Sequence, residues 1–233
     1  MNISPLSRTH DLTPQPTPAP QDTAPRRVVL ADDGNARIEH LYPDEKDPQG
    51  NDVRVLDQVS ITTTARSDKI RLRVDKHQQL IASINGKNYK LPLDANNQQH
   101  ALKISAGDGD DHISIDRRVK LHVHVDGGNG DDRIIAKGHL SIAEGGNGND
   151  YIHLGLGNTV TYGDDGDDIM IAGKGNTVMY GGKGQDKLYA KHPAPGRNLR
   201  QVYLNGGAGD DELYAGTGKN VLNGGSGNDK LVG

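Results

Sequence analysis

The sequence predicts an all-β chain: a parallel β-roll, or β-solenoid, of 18-residue coils, preceded by a β-rich N-terminal cap and a disordered tail. Three observations predict it. A unit of the form G-G-x-G-x-D-x-U-x, with U a large apolar residue, recurs seven times between Ala106 and the end of the 233-residue chain. The sixth-position aspartates Asp111, Asp132, Asp150, Asp168, Asp186, Asp211 and Asp229 are separated by 21, 18, 18, 18, 25 and 18 residues, so the structural unit is two nonapeptides long. Finally, with no Phe, Trp or Cys, 31 Gly and only 33% hydrophobic residues, an ordinary globular core is poorly supplied, whereas a solenoid needs only thin rungs.

Each coil is expected to run loop, short strand, loop, short strand, giving two stacked sheets. The glycines at positions one, two and four are Gly127, Gly128 and Gly130; Gly145, Gly146 and Gly148; Gly163 and Gly166; Gly181, Gly182 and Gly184; Gly206, Gly207 and Gly209; and Gly224, Gly225 and Gly227. The first copy carries Ala106 ahead of Gly107 and Gly109, and Asp164 replaces the second glycine of the fourth. Glycine opens backbone conformations closed to other residues and lets carbonyls turn to a common centre. Ile113, Ile134, Ile152, Met170, Leu188, Leu213 and Leu231 form an inward ladder, one rung per coil. At roughly 4.8 Å per stacked strand, seven coils make a rod about 34 Å long.

The intervening nonapeptides Leu154–Tyr162 and Ala172–Tyr180 carry Thr159 and Thr177 at the sixth position, and Ala215–Asn223 carries Asn220. A neutral hydroxyl or amide is a poor ligand for a hard dication beside a carboxylate. Every coil is therefore expected to have one metal-binding loop and one metal-free loop, with the insertions (three residues before Asp132, seven before Asp211 including His192–Gly196) on the metal-free side. The fifth-position acids Asp110, Asp131, Asp167 and Asp210 raise the local field.

This pattern resembles the repeats-in-toxin (RTX) nonapeptide over slightly more than half the chain. The resemblance implies calcium, bound between neighbouring loops by the seven aspartates and the loop glycines, with at most six ions in the six gaps. Calcium takes six to eight oxygen ligands. Because no such site exists in the unfolded chain, binding energy becomes folding energy, and the module is expected to be largely unfolded without the ion.

The remaining chain is read as residues 1–27, a Pro/Ser/Thr-rich disordered tail, then 28–104, a β-rich cap ahead of the roll at 105–233. The tail holds six prolines and no apolar h-region, so it is not a Sec signal peptide. Met1-Asn2-Ile3-Ser4-Pro5-Leu6-Ser7 resembles the start of plant-pathogen type III effectors, from which Asp11 departs; the expectation is a secreted protein, extracellular or delivered into a host cell. In the cap, Val53–Ile61 and Lys69–Val74 read as strands, and Gln79–Ile84 with Lys87–Leu93 as a hairpin around Asn85-Gly86. Thr64–Ile70 reads as a decayed repeat, with Asp68 at the metal position, and Tyr42–Pro48 as a solvated loop.

A net charge of −4 offers no basic stripe for nucleic acid, and no segment approaches transmembrane length. Neither His-Glu-x-x-His nor G-x-S-x-G occurs. His122 and His124 alternate on one strand face and make only two ligands. The chain is thus expected not to be an enzyme, although Leu231-Val232-Gly233 leaves an open coil edge, compatible with a partner or a catalytic domain beyond it. The alternative function is a non-catalytic module whose metal-free side, with Tyr162/Tyr180 and Asn158/Asn176, binds a host protein or glycan.

Overall fold

The computed structural model describes residues 26–42, 57–97, 100–155, 157–190, 201–216 and 219–233. The Tyr42–Pro48 loop beyond Tyr42, the His192–Gly196 insertion and residues 1–25 of the tail lie outside the described residues.

The chain winds between two ten-stranded sheets, and among the described residues there is no helix. One sheet takes the longer strand of each coil: β3 (Asp57–Thr62), β7 (His100–Asp108), β9 (His122–Asn129), β11 (Ile142–Asn147), β13 (Thr159–Asp165), β15 (Thr177–Lys183), β17 (Gln201–Ala208) and β19 (Lys219–Ser226). The other takes the shorter: β4 (Lys69–Val74), β8 (His112–Ile115), β10 (Arg133–Ala136), β12 (Tyr151–His153), β14 (Ile169–Ile171), β16 (Lys187–Tyr189), β18 (Glu212–Tyr214) and β20 (Lys230–Val232). These neighbours all pair in parallel, which requires the chain to cross to the opposite sheet before returning.

Alternation of inward and outward side chains puts apolar residues on the shared interior. Ile70, Ile113, Ile134, Ile152, Met170, Leu188 and Leu213 are in direct register and fully buried. Leu231, expected as the last inward rung, is instead 46% exposed, because β19 and β20 are the outermost strands and nothing stacks beyond them. A second inward column faces the first: Ile104, Val125, Ala143, Thr161, Met179, Leu204 and Leu222. The polar Thr159 and Thr161 disguised it in the sequence; the Thr161 hydroxyl is buried with no hydrogen-bond partner among the described residues.

At the N-terminal end both sheets continue past the repeats without a break. β4 extends the short-strand sheet in register with β8, and β3 extends the other beside β7. The sheets are then closed by antiparallel strands: β1 (Arg26–Asp32) and β2 (Arg37–Tyr42) beyond β3, and β5 (Leu80–Ile84) and β6 (Lys87–Lys90) beyond β4. Antiparallel pairing ends the stack, and exposed Arg27 on β1 and Lys87 and Lys90 on β6 leave edges that discourage further pairing. Asn85 and Gly86 both have positive φ (49° and 86°), as a two-residue hairpin turn requires.

Candidate metal centre

The Gly-rich segments carry the chain from the long-strand sheet to the short-strand sheet, all on one side of the roll. Within them the sixth-position carboxylates form a continuous column. The N–H of Asp111 donates to Asp132 Oδ1 (2.7 Å), that of Asp132 to Asp150 (2.7 Å), and that of Asp150 to Asp168 (2.7 Å). The column continues from Asp168 to Asp186 (2.9 Å), Asp186 to Asp211 (2.8 Å) and Asp211 to Asp229 (3.0 Å). Its spacing absorbs the 25-residue step before Asp211 without interruption. Asp68 joins at the head, its N–H donating to Asp111 Oδ1, so the glycine-free Thr64–Ile70 segment keeps the repeat's register.

One oxygen of each carboxylate is thus used by the main chain of the preceding coil; the other is not. Oδ2 of Asp111, Asp132, Asp150, Asp168, Asp186 and Asp211 is buried and has no hydrogen-bond partner among the described residues. Leaving such an acceptor unpaired is costly, more so when it is charged. Burial accordingly pushes Asp111, Asp132, Asp150 and Asp186 up to about 7 and Asp168 to about 8 from 3.8, with repulsion from neighbouring carboxylates adding to it. Asp211 moves in the same direction for the same reason.

From Gly127 onward the first glycine of the repeat makes room for that oxygen; in the first copy Ala106 stands there. A Cβ on Gly145 would lie 2.2 Å from Asp150 Oδ2 and 2.9 Å from the Gly163 carbonyl oxygen; on Gly181 it would lie 2.2 Å from Asp186 Oδ2 and 2.4 Å from the Gly206 oxygen. Gly127, Gly163 and Gly206 have the same surroundings, and Gly224 meets Asp229 alone. The space between coils is therefore lined by carboxylate and carbonyl oxygens, the donor set of a hard cation. Glycines two and four serve a different need. Gly128 and Gly130 have φ of 109° and 124°, and a Cβ there would meet the Gly107 and Gly109 carbonyl oxygens at 2.0 and 2.5 Å. Gly146, Gly148, Gly166, Gly182, Gly184, Gly207, Gly209, Gly225 and Gly227 repeat this arrangement. Asp164 adopts it without being glycine, at φ 78°.

Among the described residues, no group of three or more His, Asp or Glu side chains could hold a metal by itself. Each gap brings two spine carboxylates together beside loop main-chain carbonyls.

Two further ladders flank the spine. At the fifth position the main-chain N–H groups of Asp131, Asn149, Asp167, Gln185 and Asn228 donate to the side chains of Asp110, Asp131, Asn149, Asp167 and Asp210 one coil earlier, at 2.7–3.0 Å. The fifth-position acids are therefore turn staples as well as charges. At the third position Asn129 Nδ2 donates to Asp108 (2.6 Å) and Asn147 Nδ2 to Asn129 (2.6 Å). Sequence reasoning passed over this column, although Asp108, Asn129, Asn147 and Asp165 recur there.

Among the described residues, the opposite side lacks such a carboxylate column. Thr159 and Thr177 turn inward and are buried, and Thr159 Oγ1 donates to the Leu140 carbonyl (3.0 Å). Asn220 Nδ2 donates to the Gly216 carbonyl (2.5 Å). Asn158 and Asn176 stack in the loops, Asn176 N–H donating to Asn158 Oδ1 (3.2 Å). Tyr162 and Tyr180 stand on the outer face of the long-strand sheet rather than in the loops, with ring centroids 5.3 Å apart and planes within 8°. Tyr203 lies beside Tyr180 at 5.9 Å with its ring tilted by 53°. His122 and His124 share the outer face of β9 but face different partners, Ser141 Oγ (2.9 Å) and Glu144 (3.3 Å).

Residues 126–160, 162–191 and 203–233 match the family model of the RTX calcium-binding nonapeptide repeat (4 copies). No curated protein and no solved structure matches the chain.

Proposed function

From a chain that carries RTX calcium-binding repeats wound into a β-roll, we propose a secreted module that folds on binding calcium. Asp111, Asp132, Asp150, Asp168, Asp186, Asp211 and Asp229 hold the cations, up to six, in the gaps between successive coils. Each gap uses two of these carboxylates and the loop carbonyls, including those of Gly145, Gly163, Gly181, Gly206 and Gly224.

The observation that carries this reading is the row of buried Oδ2 atoms with no hydrogen-bond partner. Six carboxylates in one column, each lacking a proton donor for one oxygen, destabilise a metal-free roll by desolvation and by mutual repulsion. Calcium supplies the missing positive charge and accepts the oxygen donors that the coils bring together. The spine residues hold the coils in register; the glycines keep the space open. The repeat region is a structural calcium-binding module and carries no catalytic step.

A second reading has its own observation. The stacked Tyr162 and Tyr180 rings, with tilted Tyr203 beside them, present aromatic faces suited to a sugar ring or a protein side chain on the outer surface of the long-strand sheet. Tyr162→Ala with Tyr180→Ala would abolish glycan or partner binding in that case, with calcium folding unchanged.

The deciding experiment for the first reading is a calcium titration of chelator-treated protein by far-ultraviolet circular dichroism, with magnesium as control. A cooperative gain of β signal with calcium alone, lost in the Asp150→Ala/Asp168→Ala double variant, is expected. A β signal already complete in chelator and indifferent to calcium would overturn it.

A further inference from the structure

Asp68 heads the carboxylate column, yet it differs from the six buried carboxylates that follow. Both of its oxygens are satisfied by the protein: Oδ2 accepts the Thr64 N–H (3.2 Å), and Oδ1 accepts the Asn85 side-chain amide. Asn85 sits in the β5–β6 turn, 17 residues away in sequence, and all of its side-chain polar atoms are engaged. Its Oδ1 accepts the Lys69 N–H (2.8 Å), and Nδ2 donates also to Asn35 Oδ1 (2.9 Å).

Asn35 belongs to the turn between β1 and β2, so Asn85 joins the hairpins that close the two sheets. Around this junction Asn35 Nδ2 donates to the Ile84 carbonyl (3.0 Å) and to Tyr89 Oη (3.2 Å). Tyr89 Oη donates to Asp33 (2.9 Å), which also pairs with Lys87. Beneath lie Ile38, Ile61, Ile70, Leu72, Leu80, Ile84 and Leu91, each at most 1% exposed. Burying one such side chain contributes roughly 1.5–3 kcal/mol. This end therefore carries a dense aliphatic core, and both oxygens of its one spine carboxylate have donors from the protein.

We infer that Asn85 closes the carboxylate spine in place of a further coil, making the β1–β6 end a calcium-independent template on which the repeats wind from β7 towards β20. The inference rests on the calcium-folding reading above and adds a direction to it. The template presents to the first repeat what each wound coil presents to the next: a parallel edge on each sheet and the Asp68 N–H aimed at Asp111 Oδ1.

The test is hydrogen–deuterium exchange by mass spectrometry on the full chain, in chelator and at stepwise calcium additions. In chelator, β4 and β5 are protected while β12 to β20 exchange freely; calcium then extends protection from β8 towards β20. Asn85→Gly keeps the positive-φ turn but removes the amide, and speeds exchange of β4 and β5 in chelator by roughly five- to tenfold. Asn85→Asp keeps the size and turn preference but sets a carboxylate against Asp68, and opens the same strands further.

Uniform free exchange in chelator, followed by protection of the whole chain at one calcium level, would leave calcium folding standing and overturn the template. Protection that starts at β18–β20, or wild-type exchange in both Asn85 variants, would also overturn it. Full protection of every coil in chelator would instead sink calcium folding, and with it the winding order.

Discussion

The Asp68 coil and the coils from Asp132 to Asp211 share a backbone path, a register and a buried aspartate at the same position, but they balance that aspartate in opposite ways. In the first, main-chain and amide donors from Thr64 and Asn85 reach both oxygens, and large aliphatic side chains fill the interior. In the second, one oxygen is left bare, and small or polar Ala143, Thr161 and Ala172 sit among the buried Ile134, Ile152, Met170, Met179 and Leu188. The same turn can thus be built as a self-sufficient element or as one that depends on a cation. What separates them is whether a neighbouring segment supplies hydrogen-bond donors or only further oxygens.

The sharpest way to break this contrast is to fill the oxygen-lined space. Gly181→Ala places a methyl 2.2 Å from Asp186 Oδ2 and 2.4 Å from the Gly206 carbonyl oxygen, so the carboxylate has to leave the gap. Overpacking of this kind typically costs about 1–3 kcal/mol, and here it also displaces two cation donors. The expected result is a calcium midpoint raised by about tenfold or more in the circular dichroism titration. Thr63→Ala, at the equivalent position of the Asp68 coil, loses only the hydrogen bond from Thr63 Oγ1 to the Ala106 carbonyl (2.6 Å). It should cost about 1 kcal/mol of stability and leave the calcium midpoint within about twofold.

Proton binding probes the same difference without metal. The spine carboxylates of the folded roll have their pKa raised from 3.8 to about 7 or 8, so between those values the folded state holds more protons than the unfolded chain. Stability of the metal-free roll therefore falls as pH rises from about 4 to about 7, and its contribution is fully present only below the unfolded pKa. In chelator, acidification from pH 7.5 to pH 5 should recover β signal across the repeats. A signal unchanged between these two pH values in chelator would show that the carboxylates are not what holds the metal-free coils open.

Much of this arrangement was legible in the sequence because a solenoid writes its register directly into spacing. The aspartate column, its inward Ile/Met/Leu ladder and even the decayed copy at Asp68 follow from counting, since one coil's position is repeated in the next. Asn85 was not legible in the same way. Asn-Gly in a hairpin is fully explained by its backbone, and nothing local announces that the side chain reaches Asp68 across 17 residues and Asn35 across 50. Tyr203 is in register with Val178 rather than with Tyr180, so counting did not bring it to the tyrosine pair, and the exposure of Leu231 depends on stacking order rather than on its place in the repeat.

Asp164 gives the smallest predicted effect and the most discriminating one. It occupies the second-glycine position of its repeat at φ 78°, a conformation that costs a residue with a Cβ roughly 1 kcal/mol or more. The residue is exposed overall, but partial desolvation of the carboxylate and repulsion from Glu144, Asp165 and Asp126 raise its pKa. Because it lies outside the buried spine, Asp164→Gly removes strain and repulsion without touching a proposed cation ligand. The variant should gain about 1 kcal/mol, or roughly 2–4 °C in Tm for a chain of this size, in calcium and in the acid-recovered metal-free roll alike. A gain confined to calcium-free conditions would mean that the Asp164 carboxylate assists cation binding from the outer face. An equal gain in both would confine metal dependence to the inner column, where the Asp68 coil and the repeats part company.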